Sequence, residues 1–252
     1  MSTRTGGIAP GAGPGPLLAQ SRVELTLTLR RGESLLLTLG IPVLLLLFFS
    51  AVDVLPTGTE DPIDFLAPGI LALAVMSTAM VSLGIATGFE RSYGVLKRLG
   101  ATPLGRPRLV AAKTAAVIVV EVVQFAILVP LSYALGWRPD GSWPLALAGV
   151  VTGTIAFAGM GLAMAGRMRG ELNLAAANGL YLVLLLLGGM IFPLSELPSA
   201  MAGIARLLPS AALSEVLRAA FTTGGHPPRA WATLAAWAIA APVVAARTFR
   251  WE

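Results

Sequence analysis

Apolar runs of about 20 residues, the length that crosses a bilayer as a helix, recur along nearly the whole chain, and short polar or Gly/Pro-rich stretches separate them. Six runs qualify as spans: Leu35 to Val54, Leu66 to Phe89, Val110 to Gly136, Trp143 to Gly166, Leu174 to Phe192 and Ala230 to Ala246. The last is the shortest, with Trp231 placed as an interfacial anchor. Pro42, Pro130 and Pro242 fall inside these runs, which a membrane helix tolerates as a kink. The pattern predicts an all-α integral membrane protein with one six-span membrane domain over residues 35–252.

The remaining segments follow other patterns. Residues 1–16 (MSTRTGGIAPGAGPGP) hold too little apolar side chain to pack and read as a disordered tail. In residues 17–34, Leu18, Leu25 and Leu29 share one helical face, which suggests an amphipathic helix in the headgroup layer. The competing strand pattern of ELTLTL would leave an unpaired edge. Between the fifth and sixth spans, Pro193, Pro198 and Pro209 divide the chain into two pieces of helical periodicity, PSAMAGIARLL and SAALSEVLRAAF, with Ser210 placed as N-cap of the second. Neither piece is long enough to cross, so re-entrant or surface helices are expected.

Composition agrees with this reading. Of 252 residues, 56% are hydrophobic and 12% charged, and the mean hydropathy is +0.79, far from the composition of a soluble domain. The net charge of +5 comes from basic residues at the ends of apolar runs, and no basic groove with interleaved aromatics points to nucleic acid. With cytoplasmic termini, only Arg138, Arg206, Arg218 and Arg229 of the 18 Lys and Arg residues lie outside. That asymmetry favours both termini inside and an even number of spans. The first outer loop, with Asp53, Glu60, Asp61 and Asp64, carries no basic residue. There is no cysteine, and neither a short h-region nor an A-x-A-like site precedes Leu35, so the first helix is expected to stay in the membrane.

The densest basic stretch is FERSYGVLKRLGATPLGRPRL, from Phe89, on the cytoplasmic side of this topology. Plotted as a helix, Val95, Leu96 and Leu99 gather on one face and Glu90, Arg91, Lys97 and Arg98 on the other, until Gly100, Pro103 and Pro107 end it. The result is a helix of about eleven residues, roughly 16 Å long, across the mouth of the protein. Charge that only enforces topology and binds anionic lipid headgroups needs no such shape.

These residues resemble a family. ERSYGVLKRLGATPLGR is similar to the loop between the second and third spans of ATP-binding-cassette type-2 permeases. FPLSELPSAMAGIARLLPSAALSEVLRAAF resembles that family's extension before the last span. The resemblance covers roughly Leu17 to Ala246. It implies a bacterial plasma-membrane exporter subunit that pairs with a second copy or a sister permease. It also implies docking of a separate ATPase, which binds ATP and Mg, through the interfacial helix and the loop helix. Carried over, Glu90, Arg91, Gly94, Leu96, Arg98 and Leu99 belong to the coupling helix, with Glu90 at its hinge with the second span. The sequence departs from the common pattern at Ser92 and Tyr93. A chain that relies on a separate ATPase needs no phosphate loop of its own, and neither Lys97 nor Lys113 follows a glycine. The chain itself is expected to be no enzyme and to bind no cofactor.

Within the spans, Glu121 and Gln124 are the conspicuous polar groups. Each fits either a lining residue of the transport path or a structural hydrogen bond to a neighbouring span. Asn173 and Asn178 suit helix packing or capping. Gly149, Gly153, Gly159, Gly161 and Gly166 make a face of the fourth span that another helix, of this or a second subunit, can approach closely. His226 is the single histidine and stands in a Gly/Pro turn, so no metal site is expected, and no catalytic cluster of carboxylates or Ser-His-Asp is present. A cavity lined by Leu, Val, Met and Phe suits an amphipathic cargo: a drug, a lipid or a lipid-linked glycan. The alternative, a self-contained carrier or channel, calls for charges in several spans or an internal repeat. The sequence offers one intramembrane carboxylate and no evident repeat.

Overall fold

The computed structural model describes residues 32–52, 62–95, 97, 105–222 and 225–248. Its described elements are helical: α1 Gly32–Ala51, α2 Pro62–Ser92, α3 Gly105–Ala134, α4 Trp143–Ala165, α5 Gly170–Leu187, α6 Ser199–Ala205, α7 Pro209–Thr222 and α8 Pro228–Thr248. Five of them, α2, α3, α4, α5 and α8, contain stretches long and apolar enough to cross a membrane. At 20 residues α1 has the length for a sixth crossing, with its apolar part over Thr38–Ala51.

The helix α2 is the centre of the bundle. Its apolar window is 78% buried, against 22% for α5 and for α8, because α1, α3, α4, α5 and α7 all pack around it. Midway it widens into a π-turn, Ser77–Ser82, a distortion often found at functional positions. Thr78 in this turn donates to Gln124 Oε1 of α3 at 2.8 Å.

The glycine-rich face of α4 meets helices of its own chain. A Cβ at Gly153 would stand 2.8 Å from Leu213 of α7, one at Gly159 would stand 2.5 Å from the Pro242 nitrogen of α8, and one at Gly161 would stand 2.6 Å from the Met80 carbonyl oxygen in the π-turn. Gly149 faces Val216 and Trp231. With Gly149 beside Trp231 and Gly159 beside Pro242, α4 and α8 run parallel.

Both α5 and α8 therefore have a terminus at the end of the bundle where α4 begins, and the bent pair between them does not cross. The axes of α6 and α7 differ by 83°, and α7 is buried along most of its length. It runs from the level of Gly153 back out to Gly141, where the Ser142 N–H donates to the Ala220 carbonyl. The expected re-entrant helices are thus covered by protein at α7. The expected cap differs: α7 starts at Pro209, and Ser210, one residue inside, is buried with its Oγ unpartnered among the described residues.

Two other boundaries differ from the apolar pattern. The fifth span begins at Gly170 rather than Leu174 and stops at Leu187, where Gly188 and Gly189, the latter at φ +59°, turn the chain. The second span extends from Pro62 to Ser92. Gly32 to Ser34, assigned above to the interfacial helix, lie within α1. The rest of that helix, the N-terminal tail, Asp53, Glu60 and Asp61 lie outside the described residues.

Candidate functional site at the basic end of the bundle

The α2–α3 loop defines one end of the bundle, called here the basic end. Its structure departs from a single helix starting at Glu90. The last residues of α2 include Glu90 and Arg91; the chain then turns through Tyr93 and Gly94, whose φ of +71° suits a residue without Cβ, and helix resumes at Val95.

The helical plot is corrected accordingly. Glu90 does not face solvent with Lys97; it is buried, and Val95 is exposed. The reason is a partner across the loop. Lys113 Nζ of α3, itself buried, stands 2.6 Å from Glu90 Oε2. Two buried charges need each other, since either one alone would be held without compensation.

Arg91 also turns inward. Its Nη1 donates to the carbonyls of Ala165 at 3.4 Å and Met168 at 3.3 Å, placing a cation at the C-terminus of α4, where the helix dipole favours it. Ser92 accepts a 2.9 Å hydrogen bond from the Gly170 N–H, the first residue of α5. This hydroxyl does the work of an N-cap from another helix, since Arg169 at the cap position offers no side-chain acceptor. Three consecutive residues thus attach the end of α2 to α3, α4 and α5. Tyr93, Val95 and Lys97 stand exposed beyond them. Leu96, Arg98 and Leu99 lie outside the described residues.

Deeper in the bundle, both predicted polar groups are buried. Gln124 Nε2 donates to the Thr38 carbonyl of α1 at 3.0 Å while its Oε1 accepts from Thr78, so one amide joins α1, α2 and α3. The carboxylate of Glu121 faces the Thr154 hydroxyl of α4 at 3.0 and 2.8 Å, and that same hydroxyl also lies 2.9 Å from the Val150 carbonyl. Asn173 Nδ2 donates to the Gly84 carbonyl at 2.8 Å, and Asn178 bonds only within its own helix, to the Leu174 carbonyl. Asn173, buried between α5 and α2, fits the packing role expected of it, whereas Asn178 is exposed and does not. The ring of His226 packs beside Trp231, 5.5 Å between centroids. Among the described residues no group of three or more potential metal ligands occurs.

Sequence reasoning missed four residues of this arrangement. Lys113 had a signal, as a lysine at the start of an apolar run that calls for a partner. Ser92 and Thr154 had none, because their partners are remote in sequence. Arg218 was counted only for topology. In the structure its guanidinium donates to the carbonyls of Gly189, Met190 and Phe65 and stacks on the Phe65 ring, 3.7 Å from the centroid, at the end opposite the basic loop.

A helical bundle with five to six helices long and apolar enough to cross a membrane, an inward-braced loop and a buried bent pair has the architecture of a multi-pass membrane protein. The model of the family described as "ABC-2 type transporter" matches residues 17–222, so the chain belongs to the ABC-2 type transporter family. The Bacillus subtilis (strain 168) protein named "Putative transport permease YvfS" is 25% identical over 205 residues, covering 77% of this chain and 80% of that one. The chain is a transport permease of this family, whose permeases work with an ATPase partner.

Proposed function

We propose that the chain is the membrane subunit of an exporter, moving an amphipathic or lipid-like molecule out of the cytoplasm or inner leaflet on energy from a separate ATPase. The observation that carries this reading is the basic end. Tyr93, Val95 and Lys97 stand exposed beyond a Glu90–Lys113 pair that fastens α2 to α3, so a partner pressing there displaces α2 and α3 together. In this reading the basic end is cytoplasmic, both termini lie there, the host is a bacterial plasma membrane, and α1 completes six spans. Gly94, Leu96, Arg98 and Leu99 form the coupling segment, and Glu90 and Arg91 form its root on α2.

A second permease copy or a sister permease completes the path. Large apolar side chains exposed on α1, α3 and α5, among them Leu44, Val122 and Leu186, offer faces to that partner and to lipid. ATP and Mg are bound by the ATPase, and its closure shifts the two halves between two packings of similar energy. Glu121 and Gln124 serve as braces of the path's wall. On this reading Glu121→Gln leaves assembly and stimulated hydrolysis unchanged across pH, and a pH-dependent loss would return Glu121 to the path itself.

The deciding experiment is co-purification of the tagged permease with an ATPase expressed alongside it, before and after Leu96→Asp with Leu99→Asp. Capture of an ATPase by the unsubstituted chain and its loss with the two aspartates is the expected result. If no ATPase is captured, or if capture and permease-stimulated hydrolysis survive the substitutions, the proposed function is wrong.

A further inference from the structure

The helix α5 is held at its two ends and little along its length. Only 22% of its apolar window is buried, yet each terminus is fastened by hydrogen bonds from elsewhere in the chain. At the basic end, Ser92 Oγ accepts from the Gly170 N–H at 2.9 Å and Asn173 Nδ2 donates to the Gly84 carbonyl at 2.8 Å. The surfaces fit closely there. A Cβ at Gly88 would stand 2.6 Å from Asn173 Nδ2, and one at Gly170 would stand 2.9 Å from Phe89 Cδ1. Asn173 is fully buried, so its bond to Gly84 is shielded from competing water.

At the opposite end the helix stops in the Gly188–Gly189 turn, and α7 grips that turn. Ser214 Oγ donates to the Gly188 carbonyl at 2.7 Å, and the Arg218 guanidinium donates to the carbonyls of Gly189 and Met190. From the first fastening at Gly170 to the Gly188 turn run the 18 residues of α5, about 27 Å of helix. Between these ends α5 packs only a narrow face, with Ala177 and Leu184 buried, and a helix hydrogen-bonded at both ends and stiff between them transmits displacement from one to the other.

We infer that Ser92 and Asn173 are positioning residues that couple the end of α2, beside the basic loop, to the re-entrant pair α6–α7 at the opposite end, with α5 as the connecting rod. This rests on the proposed function, in which an ATPase drives the loop. The step does not need new contacts during the cycle. It needs the inner fastening to hold while α2 moves, which is why it uses a buried amide and a helix cap. The signal travels from Ser92 and Asn173 through α5 to Ser214 and Arg218, and so to α7 and α6.

The test uses the permease–ATPase complex in lipid nanodiscs. A single cysteine replaces Met201 of α6, an exposed position in a chain without cysteine. Its rate of modification by a water-soluble maleimide is measured without nucleotide and after trapping with ADP and vanadate. In the otherwise unsubstituted chain, trapping changes that rate by fivefold or more. Ser92→Ala with Asn173→Ala abolishes the change, while ATPase capture and hydrolysis stay within twofold.

Ser92→Ala alone, at an exposed position that does not threaten folding, reduces the change by at least half. Ser92→Thr, which keeps the hydroxyl, restores it; a loss of general stability would not show that recovery. A change at Met201 that survives both alanine variants overturns the inference and leaves the proposed function standing. An unsubstituted complex in which trapping leaves Met201 unchanged also overturns it. If the unsubstituted permease captures no ATPase, the proposed function fails and this inference fails with it.

Discussion

At the scale of single residues, the bundle's buried polar groups come in matched sets, and the cost of disturbing one depends on what is left behind. Removing the Lys113 ammonium while Glu90 remains leaves a buried carboxylate without its counter-charge, a loss of about 3 kcal/mol. Lys113→Met should therefore lower the thermal unfolding midpoint in detergent well below that of the parent chain. Glu90→Gln added to Lys113→Met should recover most of the loss, because the charge that lacked a partner is gone. No recovery would show that the pair is not what holds the two stems together.

Glu121 and Thr154 obey the same logic more weakly. One hydroxyl faces both carboxylate oxygens, so Thr154→Val strips the only donor that the described residues present to that carboxylate. The expected cost is about 2 kcal/mol. In a Glu121→Leu background the same substitution should cost less than about 0.5 kcal/mol, since Thr154 then serves only the Val150 carbonyl of its own helix. Equal costs in both backgrounds would mean that the hydroxyl does not support Glu121. A double-mutant cycle on unfolding midpoints measures the difference.

At the scale of elements, close approach decides where the helices sit. Gly161 lies against the Met80 and Ala79 carbonyls of the α2 π-turn, whereas Gly179, inside α5, has open space around the position of a Cβ. Gly161→Ala should thus push α4 from α2 and cost about 2 kcal/mol. Gly179→Ala should be neutral or stabilising by about 0.5 kcal/mol, the ordinary helix preference for alanine. Similar effects at the two sites, read as unfolding midpoints, would argue against a packing role for the glycine face of α4.

The same scale shows what the sequence could and could not reveal. The spans are legible because burial in lipid requires long apolar runs, and the small-residue face of α4 is legible as a spacing. What it packs against is not, since Leu213, Pro242 and Met80 belong to three other helices. The start of α5 escaped notice because its cap, Ser92, lies 78 positions earlier. Glu90 looked like part of a solvent face because a helical plot contains no Lys113. The π-turn carries no local signature: Thr78 in it is met by Gln124 from a different helix.

At the scale of the whole molecule, the charge distribution and the packing specify different things. Packing brings together the ends of α2 and α4 with the starts of α3 and α5, through Glu90, Arg91 and Ser92. It says nothing about which side of the membrane that end occupies. The proposed orientation rests on charge, because lysine and arginine near the ends of spans are retained in the cytoplasm. The basic end carries Lys97, Arg167 and Arg169, all exposed, while Tyr93 beside them is 73% exposed. The opposite end carries exposed Arg138 and Asp140 in the turn between α3 and α4. A chain without cysteine allows a direct reading of orientation from single replacements. In intact cells a membrane-impermeant maleimide should modify Asp140→Cys and leave Tyr93→Cys untouched. After the cells are opened, Tyr93→Cys should react at a rate similar to that of Asp140→Cys, since both positions are exposed. Modification of Tyr93→Cys in intact cells would invert the bundle, put the basic loop outside, and remove the side of the membrane on which an ATPase could reach it.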